Sequence, residues 1–398
     1  MTSSPSGEPP SSQPEPRSAI DHAPILPRGD ARAQLRSWVD WYRAIITGQE
    51  RGLAAFCTRA VLRVAEVPYS LAIRYRNRRY DRDPKRVTRV AVPVVSVGNL
   101  TLGGTGKTPV VEWIARWFRR HDIRVTILSR GYGAEHGARN DEALELEERL
   151  DDVPHLQNPD RVESALLAIE EFECQVLLLD DGFQHRRLAR DLDIVLLDAA
   201  DPFGQEHLVP RGWLRERPEG LARAQAVVLS RADAMNEQQR AQVKARVHAL
   251  APQASWSEVR HAPRHWLSAS GETIELSVLA GRRVLAFCGI GNPAGFQRTL
   301  ESCGCEVVNL RTFADHHAYD RADVESLDRW VAAFDEAGLA IDAVVCTHKD
   351  LVKLRVERLG GKPLRALVIG IEFLAGQDTF EQHLSNVLTL ARSAGDET

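Results

Sequence analysis

The sequence predicts an α/β fold: two α/β/α domains with mostly parallel sheets, preceded by an N-terminal amphipathic helical segment. Three observations carry this. Short Val- and Leu-rich stretches alternate with longer segments of helical periodicity, and the alternation occurs in two series. The first of these stretches, from Val92 to Val97, runs into a glycine-rich turn and then Lys-Thr. Another, Val176–Leu179, ends in paired aspartates. Parallel strands buried on both faces read as such apolar runs, and ligands gather at their carboxyl ends.

Composition narrows the classes. A chain of 398 residues is long enough for two cores. A net charge of −4 argues against a polycation that binds nucleic acid. Six cysteines make no C-x-x-C pair and no metal spacing, a usage that suits a reducing compartment. No secretory signal is expected at the start, and no uninterrupted apolar run of about 18 residues is present for a spanning helix.

In chain order, residues 1–30 are rich in Ser, Pro, Gly and Glu and read as a disordered tail. Residues 31–90 form a helical segment expected to associate with a membrane. Its apolar stretch from Gly52 to Ile73 leads into a basic run. Arg59, Arg63, Arg74, Arg76, Arg78, Arg79, Arg82, Lys85, Arg86 and Arg89 there face only Glu66, Asp81 and Asp83. Such a segment suits an interfacial membrane element, and suits equally a solvated helix packed on the domain. A first domain is expected over 91–265 and a second over 266–398, with 252–280 read as an irregular connection.

In the first domain, Gly98-Asn99-Leu100-Thr101-Leu102-Gly103-Gly104-Thr105-Gly106-Lys107-Thr108-Pro109 has the pattern of a nucleotide-binding loop. Glycines let backbone N–H groups close around phosphate oxygens at a helix N-terminus. Lys107 would reach the β- and γ-phosphates, and the Thr108 hydroxyl would sit on Mg²⁺. Thr101 stands where the strict pattern has glycine. Asp180 and Asp181 stand where an acid helps hold that ion, although Asp-Asp-Gly is also an ordinary turn signal. Gln184 and His185 follow at once and could orient ligand. The loop from Leu208 to Pro218 reads as a lid or an acceptor-site wall. Thr347-His348-Lys349-Asp350 lacks the Asn and the spacing of a guanine-reading motif.

Taken together, these motifs resemble one family, the tetraacyldisaccharide 4′-kinases (lipid A 4′-kinases), from about Gly48 to the C-terminal helix. The resemblance rests on the variant loop at 98–109, Leu128-Ser129-Arg130-Gly131-Tyr132-Gly133, Asp180-Asp181-Gly182-Phe183-Gln184-His185, Leu214-Arg215-Glu216, Ala314-Asp315-His316 and Thr347-x-Lys349-Asp350. It implies two α/β/α domains around a cleft, with ATP and Mg²⁺ as cofactors. It implies transfer of phosphate to the 4′-hydroxyl of a tetraacylated glucosamine disaccharide 1-phosphate at the cytoplasmic face of the inner membrane. Carried over by residue, Thr101, Leu102, Gly103, Gly104, Thr105, Gly106, Lys107 and Thr108 bind ATP. Thr108 and Asp181, with Asp180 and Glu216, hold the metal. Asp141, in Asn140-Asp141-Glu142, is the candidate base, His316 its partner, and Arg130, Gln184 and His185 contact substrate. No nucleic-acid partner and no obligate protein partner is evident. The alternatives are a P-loop GTPase or metallochaperone-type switch, and a membrane-docked ATP-binding scaffold.

Overall fold

The computed structural model describes residues 41–131, 141–315 and 317–395. The tail expected over 1–30 and the candidate His316 lie outside the described residues. Asp141 opens a helix, but its side chain also lies outside them.

A single sheet runs through the molecule. The first half contributes β1 (Val94–Asn99), β2 (Val125–Ser129), β3 (His155–Gln157), β4 (Val176–Asp180), β5 (Leu192–Asp198) and β6 (Ala226–Ser230). The second contributes β9 (Arg283–Cys288), β10 (Glu306–Thr312), β11 (Ala343–Thr347) and β13 (Lys362–Ala375). Between them lies β7 (Ser255–Leu267), with the short β8 (Thr273–Ile274) and β12 (Arg358–Leu359) attached to the path. Strand order is β10-β9-β11-β13-β7-β6-β5-β1-β4-β2-β3. Neighbours along it pair in parallel, except that β13 and β7 run antiparallel.

That junction corrects one expectation. Residues 255–267, within the stretch read as irregular, form a strand thirteen residues long. Pro263 disguised it, because proline gives no N–H to a ladder. The structure accommodates Pro263 where the register shifts between Val368 and Ile369. His261 and His265 therefore lie in a strand, within the ladder that joins the halves.

Helices cover both faces. The helix α1 (Leu53–Arg82) is 30 residues long and precedes the sheet. Then come α2 (Lys107–Arg119), α3 (Asp141–Arg149), α4 (Arg161–Phe172) and α5 (Glu237–Leu250). The second half adds α6 (Pro293–Ser302), α7 (Arg321–Glu336), α8 (His348–Leu354) and α9 (Gln377–Gly395). The α2 residues Val110, Val111, Ile114, Trp117 and Phe118 recur at helical spacing and pack with β1, β2 and β4. Phe380, Leu384, Val387 and Leu388 of α9 fold back onto the same cluster. The closing helix of the chain thus completes the first core, not the second.

Candidate active site

The site is built at the carboxyl ends of β1, β4, β5 and β6. The loop after β1 is held from both sides. Thr101 forms a β-bridge with Leu214, the Leu102 N–H donates to the Trp213 carbonyl at 2.7 Å, and the Arg215 N–H donates to the Leu100 carbonyl at 2.7 Å. This explains Thr101: the position is extended, which a β-branched residue adopts readily. The glycine requirement falls further on, where Gly103 has φ +103° and Gly106 has φ +80°. Asn99 Nδ2 donates to Thr105 Oγ1 at 3.0 Å, and Arg231 Nη2 donates to the Gly104 carbonyl at 2.9 Å. Arg231 itself is anchored by Asp198.

Beside the loop, β4 ends in Asp180, which is buried, and Asp181, which sits at φ +55°. A non-glycine residue in that region is strained, and such strain gathers at functional sites. Lys107 Nζ lies 3.4 Å from Asp181 Oδ1, and Arg215 Nη1 lies 2.7 Å from Oδ2. Burial alone would push the Asp181 carboxyl up, but Lys107 and Arg215 outweigh it and hold it below its ordinary value. The following turn leaves no room for side chains. A Cβ on Gly182 would lie 2.6 Å from Ser96 Oγ, and one on Gly98 2.5 Å from the Phe183 Cβ.

Thr108 is the second residue of α2, Asp180 is the last residue of β4, and Asp181 follows it. These are hard oxygen donors of the kind Mg²⁺ takes. Among the described residues no group of three or more His, Cys, Asp or Glu could hold a metal by itself. Glu216 also has protein partners. Its carboxylate, 1 % exposed, accepts from Arg223 at 2.9 and 3.0 Å, from Asn77 Nδ2 at 3.1 Å and from Gln184 Nε2 at 3.1 Å. With both oxygens engaged, Glu216 buttresses the turn that aims Arg215.

Gln184, expected to contact substrate, is a strut as well. Its Nε2 also donates to the Asn99 carbonyl at 2.8 Å, and its Oε1 faces Arg215. Arg130 is exposed at the end of β2. Burial and then Arg161 and Arg190 bring the His185 ring down to about 4, so it is neutral near pH 7.

Sequence reasoning missed two side chains here. Arg161, the first residue of α4, is 4 % exposed, and its Nε has no hydrogen-bond partner. Burial holds its guanidinium below the ordinary value, an effect that Arg130 adds to and that Asp181 and Asp180 oppose. His261 of β7 lies under the loop: a Cβ on Gly106 would be 2.5 Å from its Nε2, which is 3.2 Å from Ser230 Oγ. No local pattern announces either residue, because both reach the site through long-range packing.

The loop pattern, with its lysine on an acid from the neighbouring strand, defines a nucleotide-dependent phosphotransferase of the P-loop class. The chain belongs to the tetraacyldisaccharide-1-P 4′-kinase family, whose model matches residues 58–389. It is 41 % identical over 345 residues to the tetraacyldisaccharide 4′-kinase of Anaeromyxobacter dehalogenans strain 2CP-C, covering 82 % of this chain and 90 % of that one. It is 33 % identical over 374 residues to the enzyme of the same name from Halothermothrix orenii, covering 85 % and 95 %. The crystal structure of Aquifex aeolicus LpxK, described as an "apo" form in complex with ATP, superposes with a TM-score of 0.65 at 28 % identity. It covers 83 % of this chain and 99 % of that one.

The half-buried histidine under the loop makes stability depend on pH. Burial, and then Arg231, take His261 from its ordinary 6.5 down to about 4. Between those values the unfolded chain binds the proton and the folded one does not, so stability is full above the upper value and falls as pH drops. Denaturant unfolding should show His261 removing about 2 kcal/mol between about pH 7 and about pH 5. His261→Asn should flatten that part of the slope, and an unchanged slope would contradict the assignment.

Proposed function

We propose that this chain transfers the γ-phosphoryl group of ATP to the 4′-hydroxyl of a tetraacylated glucosamine disaccharide 1-phosphate, working at the cytoplasmic face of the inner membrane. The observation that carries the reading is the Lys107–Asp181–Arg215 contact behind the glycine loop, in a chain of this family.

The roles follow from charge and position. Backbone N–H groups from Gly103 to Thr108 cradle the β- and γ-phosphates at the N-terminus of α2. Lys107 neutralises the transferring group, and Arg215 and Arg161 add positive charge beside it. Thr108, Asp180 and Asp181, with Glu216, would hold Mg²⁺, which would supply positive charge to offset that of the phosphates. Asp181 keeps Lys107 and Arg215 aimed before nucleotide arrives, so little reorganisation remains for the reaction itself. The guanine-like segment in the second half is committed elsewhere. Asp350 is fully buried and accepts from the Gly289 N–H at 3.1 Å and the Tyr319 hydroxyl at 2.9 Å, which disfavours the GTPase reading.

Asp141 takes the proton of the 4′-hydroxyl, with His316 as its partner. Aspartate with a reference pKa of about 3.9 is a weak base, and a histidine beside it shares the proton and orients the carboxylate. The supports for this reading are the family motif and the placement of Asp141 at the first residue of α3, after β2. Asp141→Asn and His316→Ala should each lower kcat with little change in ATP affinity. The double variant should be scarcely worse than the poorer single one. Fully multiplicative losses, or an unimpaired Asp141→Asn protein, would overturn the pair.

Membrane association rests on α1. Among the described residues no helix is long and apolar enough to cross a membrane. Leu53, Val61, Val64, Leu71 and Tyr75 nevertheless lie exposed on one stripe at helical spacing. Arg78 and Arg82 continue that stripe, flanked by Arg74 and Arg79. Apolar insertion together with attraction to anionic lipid meets the two-signal requirement for attachment without spanning. Charge reversal at Arg74, Arg78, Arg79 and Arg82 should weaken flotation with anionic liposomes, most at low salt, and leave ATP binding intact. Flotation indifferent to all four would contradict the assignment.

A further inference from the structure

One buried cluster takes no part in the chemistry above, yet it spans the two halves. Arg149, the last residue of α3, has a side chain only 4 % exposed. Its Nη2 donates to Glu145 Oε1 at 2.6 Å, one turn back on the same helix. Nη1 donates to Glu112 Oε2 on α2 at 2.7 Å and to the Ile369 carbonyl on β13 at 2.9 Å. Nε donates to His348 Nδ1 at 2.9 Å, at the start of α8. Because Nδ1 accepts, the ring carries its proton on Nε2 and donates it to Glu148 Oε2 at 2.9 Å. The Ile369 carbonyl is also accounted for: its neighbour in the ladder is Pro263, which has no N–H to give.

A guanidinium fixes its donors in one plane, so four acceptors on four different elements settle the relative placement of all four. Taking these charges out of water is costly, and such clusters are weak evidence for stability. Their better-attested use is to specify register.

The helix α8 passes the constraint on. Lys349 Nζ lies 3.9 Å from Asp315 Oδ1. Asp350 holds the Tyr319 hydroxyl and the Gly289 N–H. Lys353 Nζ donates to the His317 carbonyl at 3.0 Å. Residues on both sides of position 316 are thus held by one seven-residue helix, whose first residue is held by Arg149.

We infer that Arg149 and His348 are positioning residues that register the loop carrying His316 against the helix that begins at Asp141. The inference rests on the reading of those two as the reacting pair. It makes the cleft geometry a property of one hydrogen-bonded chain. That chain runs from Glu112 on the P-loop helix through Arg149 and His348 to the anchors of the 313–319 loop.

The test uses the full chain. His348→Leu leaves Arg149 its bonds to Glu112, Glu145 and Ile369 but cuts the link to α8. We expect kcat to fall about tenfold or more, since small displacements of reacting groups are costly, with KM for ATP within about twofold. Hydrogen exchange over 313–319 should quicken. In a His316→Ala background, His348→Leu should cost nothing further, because the loop has no group left to deliver. His348→Gln, which keeps an acceptor and a donor, should restore most of the rate. Arg149→Lys, which keeps the charge but loses the planar fork, carries the same expectations as His348→Leu and replaces it if that variant does not fold. An equal loss in both backgrounds, or unchanged kcat and exchange, would overturn the inference. If His316→Ala alone keeps full activity, the reacting pair falls instead. Exchange then decides the linkage: faster exchange supports it and unchanged exchange overturns it.

Discussion

The antiparallel ladder between β7 and β13, from Leu267–Ala366 to Glu258–Ala375, is the constraint on which the rest depends. Each half alone is a parallel sheet that would end in an open edge, a row of unpaired N–H and C=O groups. Joining those edges seals both and makes the two halves one sheet. The same ladder carries His261, which supports the nucleotide loop at Gly106, and Ile369, whose carbonyl takes Arg149. Nucleotide site and half-to-half register are thus built on the same few residues of backbone.

Within that frame the site is organised by one strained carboxylate. Asp181 occupies a backbone region that few non-glycine residues adopt, and its environment has to keep it there. Lys107 and Arg215 supply that environment, and the turn after it has glycine where a Cβ would meet Ser96. Arg215 is in turn aimed by a buttress, with Glu216 held by Arg223, Gln184 and Asn77. Asn77 belongs to α1, and Tyr69 of the same helix donates to the Arg215 carbonyl at 3.0 Å. The helix proposed to meet the lipid surface therefore also touches the turn that arms the nucleotide site.

What was legible in the sequence was whatever is encoded locally. Buried parallel strands read as apolar runs, the loop at 98–109 announces its own chemistry, and paired aspartates mark the end of β4. Elements with no apolar period were not legible. The helix α5 buries only Val247, so its one signal was the capping box of Asn236 and Gln239. The strand β7 was hidden by Pro263 and by polar residues on a half-covered face. The protein partners of Glu216 were not legible either: Arg223, Gln184 and Asn77 meet it only in the fold, the last of these 139 positions away. Arg161, His261 and, apart from its neighbour Glu145, Arg149 gave no signal for the same reason: their partners are distant in sequence and close only in the fold.

The central claim is that Lys107, held by Asp181, serves phosphoryl transfer from ATP to the lipid disaccharide. Transfer of label from γ-labelled ATP to tetraacyl disaccharide 1-phosphate tests it most directly, with GTP as the control donor. The account predicts labelled lipid from ATP with the natural chain. It predicts loss of at least about a hundredfold in turnover for a folded Lys107→Ala variant, the order expected on removing one charge partner of the transition state. Near-normal transfer by that variant would contradict it.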